Sequence, residues 1–274
     1  MDKKYEFTGE TKTWDGHILH RIRAVRSFSL VQKGKIGGWI EAEHNLSHHG
    51  NAWIGDNAMV YGSAVVYDEA KVCESAEVYG LAQVCGGAMV YGDAVVYGNA
   101  EVCDNAKVCE NAKVYGNAEV CGNTKVCENA KVWENAKVNG NAEVYGKAMV
   151  YGGAKVFGNA KVCGNAQVCG DAEVYGNAEV YGNAEVCGLA QVCGDAVVRR
   201  SSDYMFFKNC WSSMRWFTYT RSNRKWKVGC FHGTGDELIK KAYADSETSG
   251  KCYEAVVRAM ENIDAVISEM KVED

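Results

Sequence analysis

The sequence predicts a mainly β protein: a single-stranded parallel β-helix, or β-solenoid, with a β cap before it and a small α+β module behind. Three observations carry this. From Ile54 onward a β-branched aliphatic residue recurs at every sixth position, through 24 consecutive valines from Val60 to Val198. Ala keeps a second six-residue beat from Ala52 to Ala196, broken once by Thr124. Charge is distributed in blocks: residues 1–50 carry 8 Lys+Arg against 6 Asp+Glu, residues 51–198 carry 9 against 18, and residues 199–274 carry 13 against 11. These blocks divide the chain into an N-terminal cap (1–50), a repeat region (51–199) and a C-terminal module (200–274).

In the cap, Asp15-Gly16 reads as a hairpin turn between Phe7–Trp14 and His17–Val25, because both residues tolerate the positive φ of a tight turn. His44, His48 and His49 cluster in a polar loop that reads as part of the cap rather than as a metal site. The repeat unit is V-x-G-N-A-x, with Gly or an acid third and Asn most often fourth. A period of six does not fit a helix face. Ala and Val two apart share one face of a short strand, and the residue between them faces out. Gly-Asn supplies the corner. A chain that turns every six residues to the same side winds into a coil. Three units per coil give a triangular prism of 18-residue turns, about eight of them, stacked ~4.8 Å apart into a rod of roughly 40 Å; a two-sided solenoid of about 12 residues per coil and a right-handed bactofilin-like helix are the alternatives.

Residues 18 apart then stack. One edge reads Tyr61, Tyr79, Tyr97, Tyr115, Trp133, Tyr151, followed by Cys169 and Cys187. This aromatic ladder either stabilises the prism itself or forms an interface with a second copy or another protein. Ten cysteines occupy such ladders at spacings of six or its multiples, never C-x-x-C, and alternate with Tyr as small apolar fillers. Stacked pairs such as Cys85/Cys103 and Cys103/Cys121 fall within disulfide range, but an odd total of 13 cysteines in a chain without a signal segment points to reduced thiols.

In the C-terminal module, Tyr204–Trp211, Arg215–Arg221 and Lys225–Phe231 alternate like three strands joined at Ser212-Ser213 and Ser222-Asn223. Thr234 and Glu237 have capping-box spacing at the start of a helix over Asp236–Ala244. A second helix, Lys251–Met270, gathers Tyr253, Val256, Val257, Met260, Ile263, Ile267 and Met270 on one face. From Arg199 to Phe231 there are eight basic residues and one acid, Asp203. Arg215, Trp216, Tyr219, Arg221, Arg224, Lys225 and Trp226 interleave cations with aromatics, a combination suited to phosphates and bases. The alternation places Arg215, Phe217, Tyr219 and Arg221 on one face and Trp216 on the other.

The repeat resembles the left-handed parallel β-helix of hexapeptide-repeat proteins, and left-handedness is implied by that resemblance alone. The lead-in to the first coil is similar to that of YdcK-like hexapeptide proteins of bacteria and their phages. It is carried by Arg21 or Arg23 near Ala24 and Phe28, then Gly37, Gly38, Trp39, Asn45, Leu46 and Ser47, and the likeness covers residues 15–198. The C-terminal module departs from that family and resembles uncharacterised phage proteins.

Hexapeptide β-helices are often acyltransferases that use a His base and a projecting loop. Here all six His (17, 20, 44, 48, 49, 232) lie outside Ile54–Val198, and no unit carries an insertion. The expectation is therefore a non-catalytic binding protein without metal or cofactor, homo-oligomeric, partnered by a host protein or a phosphate-bearing small ligand. The phage resemblance extends this to an accessory protein inhibiting a host defence. An acyltransferase-like enzyme and a self-assembling structural protein are the alternatives. No stretch reaches the ~18–20 apolar residues of a membrane span, and the first residues have no apolar signal core. A net charge of −5 gives no strong case for nucleic acid. The expected location is the cytoplasm of a bacterial host.

Overall fold

A computed structural model describes residues 3–211 and 214–270, with the side chains of 268–270 excepted. The head comprises β1 (Tyr5–Trp14), β2 (His17–Ala24) and β3 (Ile36–Ile40). The β1–β2 turn is as expected: Asp15 (φ 47°) and Gly16 (φ 80°) are both left-handed, and Trp14 pairs with His17. β3 then pairs in parallel with Met59–Val60, so the head sheet runs directly into one side of the prism.

The solenoid is built from two-residue rungs between Trp53–Ile54 and Val197–Val198, arranged on three sides of nine, eight and eight. Every rung pairs in parallel with the rung 18 residues away, as Val96 with Val114. The Ala and Val of each unit have no exposed surface, and stacked in three columns they are the core. Burying each Val contributes about 1.5–3 kcal/mol, which the repeat collects once per unit. Counting valines from Ile54 gives about eight coils, whereas the structure has about nine. Ile40 and Leu46 of the head fill Val slots, Ile40 opposite Val60 and Leu46 bridging to Val66, and begin the winding before the strict beat does.

The corners differ from the expected Gly-Asn pair. Only the third residue of the unit takes positive φ, as Gly98 (74°) or as an acid such as Glu74 (62°) or Asp104 (57°). At five of these acid corners the carboxylate accepts from the corner N–H one coil on, as Glu74 from Gly92 at 2.8 Å, Asp104 from Gly122 at 3.0 Å and Glu134 from Gly152 at 2.8 Å. That bond offsets the cost of a Cβ in the left-handed region. The Asn beside it stacks instead. Asn105, Asn123, Asn141, Asn159 and Asn177 form a column in which each Nδ2 donates to the next Oδ1 at 3.0–3.1 Å.

Outside the two-residue rungs, backbone hydrogen bonds between coils run from N–H of one coil to C=O of the next, as Glu101 N to Ala118 O. These bonds leave C=O groups to be met at the first coil and N–H groups to be met at the last. The head supplies donors. Buried Lys4 gives its Nζ to Ala52 O at 2.7 Å, and Asn45 Nδ2 donates to Gly62 O at 3.0 Å and Ala64 O at 2.9 Å. The C-terminal module supplies acceptors. Ser201 Oγ accepts from Glu185 N, Tyr204 Oη from Cys187 N, Thr218 Oγ1 from Gln191 N and Ser222 Oγ from Val197 N, at 2.7–3.3 Å.

That module is an antiparallel sheet of four strands, β4 (Tyr204–Lys208), β5 (Trp216–Thr220), β6 (Lys225–Val228) and β7 (Phe231–Gly233), under helices α1 (Gly235–Asp245) and α2 (Glu247–Met270). The segment Lys225–Phe231, read as one strand, splits in two because Gly229 (φ 55°) turns the chain. Thr234 caps α1 as expected, accepting from Glu237 N while Glu237 Oε2 accepts from Thr234 N. In α2, Tyr253, Val257 and Met260 are buried, while Ile263 is exposed. The Ser212-Ser213 turn and the Met270 side chain lie outside the described residues.

Candidate functional site

The sheet of the C-terminal module is covered on both sides, and this decides the fate of its basic-aromatic motif. Phe217, Tyr219, Trp226 and Val228 point toward α1 and α2 and form one buried cluster with Leu238 and Val257. Tyr219 and Trp226 are 2% and 1% exposed, so neither offers a face to a ligand; both were expected at the site and both are core. The Tyr219 hydroxyl is held protonated far above the usual tyrosine range, by burial first and then by its bond to Asp264. The opposite face seals the last coil. Tyr204 and Phe206 pack on the solenoid core, and half-buried Trp216 stacks on Phe206 with ring centroids 4.9 Å apart.

The cations divide likewise. Arg221 donates Nε to Asp264 Oδ1 at 2.7 Å with both side chains 14% exposed, an ion pair that ties β5 to α2. The alternation places Arg221 correctly on the helix side of the strand, but there it meets a carboxylate. Arg215 is exposed beside Gly229 and lines a groove of 410 Å³ with Trp216, Lys227 and the solenoid residues Lys155 and Glu173. Arg224 (φ 52°) is exposed at the β5–β6 turn, and Lys225 next to it is half-buried.

A second cleft, of 540 Å³, brings Arg221 and Arg224 together with Arg199 and Arg200 where the solenoid meets the C-terminal module. Four guanidinium groups face two carboxylates, Asp203 and Asp264. Asp203 already accepts from the backbone N–H groups of Arg199 (2.8 Å) and Arg200 (3.0 Å), and Asp264 is engaged by Arg221 and Tyr219. The Arg199 guanidinium lies 5.3 Å from the Tyr181 ring, which steadies its direction. In the sequence Arg199 and Arg200 stand only at the edge of a basic segment. Their signal was position: they follow Val198 at once, where a solenoid must pass to its cap. Planar guanidinium forks grouped in a partly enclosed cleft suit bidentate recognition of phosphate.

The aromatic edge forms as predicted. From Tyr61 to Tyr151 successive rings stack with centroids 4.5–5.7 Å apart and planes within 8° of parallel. Tyr61 is buried at the head end, and Tyr79, Tyr97, Tyr115, Trp133 and Tyr151 are half-buried against one another. Among the cysteines, the sulfurs of Cys103 and Cys121 are joined as a disulfide across rungs with Cα atoms 4.7 Å apart, where free thiols were expected. Adjacent coils bring stacked cysteines within bonding range without any backbone adjustment. The others are free, and burial pushes the Cys127 thiol up to about 11, so it is a poor nucleophile. The head histidines do not converge: His44 Nε2 meets Gly62 O at 2.8 Å, while His48 stacks on Tyr5.

The family model for the YdcK β-solenoid repeat matches residues 52–68 and 82–98. No curated protein matches the chain.

Proposed function

The chain is a YdcK-like β-solenoid repeat protein, and on that scaffold we propose a non-catalytic binding protein whose arginine cleft holds a phosphate-bearing small ligand. The observation that carries this is the meeting of Arg199, Arg200 and Arg224 around one cleft, in which Asp203 accepts from backbone N–H groups and Asp264 is paired with Arg221. Charge-assisted hydrogen bonds from such groups contribute about 1.5–3 kcal/mol each. A ligand with two or more phosphate oxygens draws on several at once. The resemblance to phage proteins supports a role for the protein as an accessory factor in the bacterial cytoplasm. There it inhibits a host defence by sequestering a nucleotide signal or by binding a defence protein.

Calorimetric titration of the full chain with nucleoside triphosphates and with inorganic triphosphate tests the cleft. Arg199→Ala with Arg200→Ala is expected to weaken binding by about tenfold or more while leaving the melting profile intact. Arg221 is the wrong residue for this test, since its removal also unpairs Asp264. Absence of binding to any phosphate compound overturns the reading. Saturable binding of acetyl-CoA outside the cleft supports the acyltransferase alternative.

A second reading, self-association, is favoured by the stacked aromatic column with Val95 and Met149 half-buried beside it on the same side of the prism. Light scattering across a concentration series checks it: a Tyr97→Ser, Tyr115→Ser pair shifts a dimer or trimer to monomer if that face is the contact.

A further inference from the structure

Metal-ligand spacing is ordinarily sought along the chain, but in an 18-residue solenoid the neighbours of a side chain are one coil away. The aromatic column that ends at Tyr151 continues with Cys169 and Cys187 and is closed by Tyr204 of the C-terminal module, whose hydroxyl accepts from Cys187 N at 3.3 Å. Two residues before Cys187 on the same outward side stands Glu185, and its Oε1 is 4.0 Å from Cys169 Sγ. One ligand atom from each of Cys169, Glu185 and Cys187 lies within 4.8 Å of the other two.

We propose that Cys169, Glu185 and Cys187 form a binding site for a divalent cation of the zinc class, at the seam between the last coils and the C-terminal module. Tetrahedral zinc with ~2.3 Å bonds to sulfur and ~2.0–2.2 Å to oxygen needs ligand atoms about 3.5–3.8 Å apart, so closure takes side-chain rotations of roughly 1 Å. Cys169 is 7% exposed between Tyr151 and Cys187, which gives the site a dry floor, and Glu185 is exposed, which leaves a path in. Binding deprotonates both thiols, the protons passing to solvent, and leaves the fourth position to water or to the Tyr204 oxygen. A second cluster, Cys103, Asp104 and Cys121, repeats the pattern, but there the sulfurs are bonded to each other. The buried pair Cys109 and Cys127 forms no such group with a third ligand among the described residues and serves as the internal control.

The test is titration of the full-length, thiol-reduced protein, carrying Cys103→Ser and Cys121→Ser so that the second cluster cannot bind, with Co²⁺, followed by its thiolate charge-transfer absorption, and then competition with Zn²⁺. The expected result is one equivalent, displaced by Zn²⁺. It is abolished by Cys169→Ser or Cys187→Ser, weakened about tenfold or more by Glu185→Gln, and unchanged by Cys109→Ser. Circular dichroism of each metal-free variant checks that the solenoid is intact. If Cys→Ser at 169 or 187 unfolds the chain, Glu185→Gln decides. No charge-transfer band, a band that survives in both 169 and 187 variants, a band lost equally in Cys109→Ser, or an affinity indifferent to Glu185→Gln each overturns the proposal.

Discussion

The two ends of the solenoid face the same problem with opposite chemistry. At the head, unpaired carbonyls need donors, and the chain brings an ammonium (Lys4) and a carboxamide (Asn45). At the other end, unpaired N–H groups need acceptors, and the chain brings hydroxyls from Ser201, Tyr204, Thr218 and Ser222. A parallel coil has a polar axis, so its two ends call for different capping groups. An orphaned buried polar group costs about 1–3 kcal/mol, which is why these few side chains matter more than their number suggests.

The largest effect is expected at the head. Asn45→Leu removes the donor to two carbonyls and the acceptor for Ala42 N (2.8 Å), for a loss of about 2–4 kcal/mol in denaturant unfolding. A loss no greater than that of an exposed substitution would break the capping argument. Thr218→Val leaves only Gln191 N unpaired and is expected to cost about 1–3 kcal/mol.

The head also responds to pH. Burial, and then the charge of Arg26, lowers the Lys4 ammonium from 10.5 to about 8. The unfolded chain keeps that proton up to about 10.5, so between the two values the unfolded state binds more protons and stability rises with pH. Below about 8 the contribution is lost. The stability difference between wild type and Lys4→Met should therefore grow in favour of wild type from pH 8 to 10.5. A flat difference would place the buried ammonium elsewhere.

The smallest effect is expected between the ends, where no capping is needed. Thr124 sits in an Ala slot, 1% exposed, and its Oγ1 has no hydrogen-bond partner. Thr124→Ala should stabilise the protein by about 1 kcal/mol, read as a raised unfolding midpoint.

How much was legible in the sequence follows the same division. Within the repeat, one residue's slot fixes its environment, so the buried Val and Ala columns, the stacked rings from Tyr61 to Tyr151 and the odd Thr124 could be read from spacing. The corner was half legible: Gly was placed correctly, but the Asn column and the carboxylates bonding across coils, such as Glu74 to Gly92 N, depend on a neighbour 18 residues away. In the C-terminal module, alternation gave the sides of β5 but not what covers them. Tyr219 and Trp226 look like stacking platforms until α1 and α2 close over them, and Arg221 looks available until Asp264, 43 residues on, is placed beside it. Arg199 and Arg200 lacked any local motif, since a cleft between a solenoid and its cap exists only once both are folded.

The equivalence of successive coils has a genetic consequence. Because Val96 and Val114 occupy interchangeable slots, duplication or loss of eighteen codons inside the repeat restores every pairing on the far side of the join. Such an event moves the two capped ends apart or together by one coil while sparing the residues that make them work. Coil number is thus a heritable length setting, open to replication slippage, and lineages of this protein can vary in reach without reinventing either end.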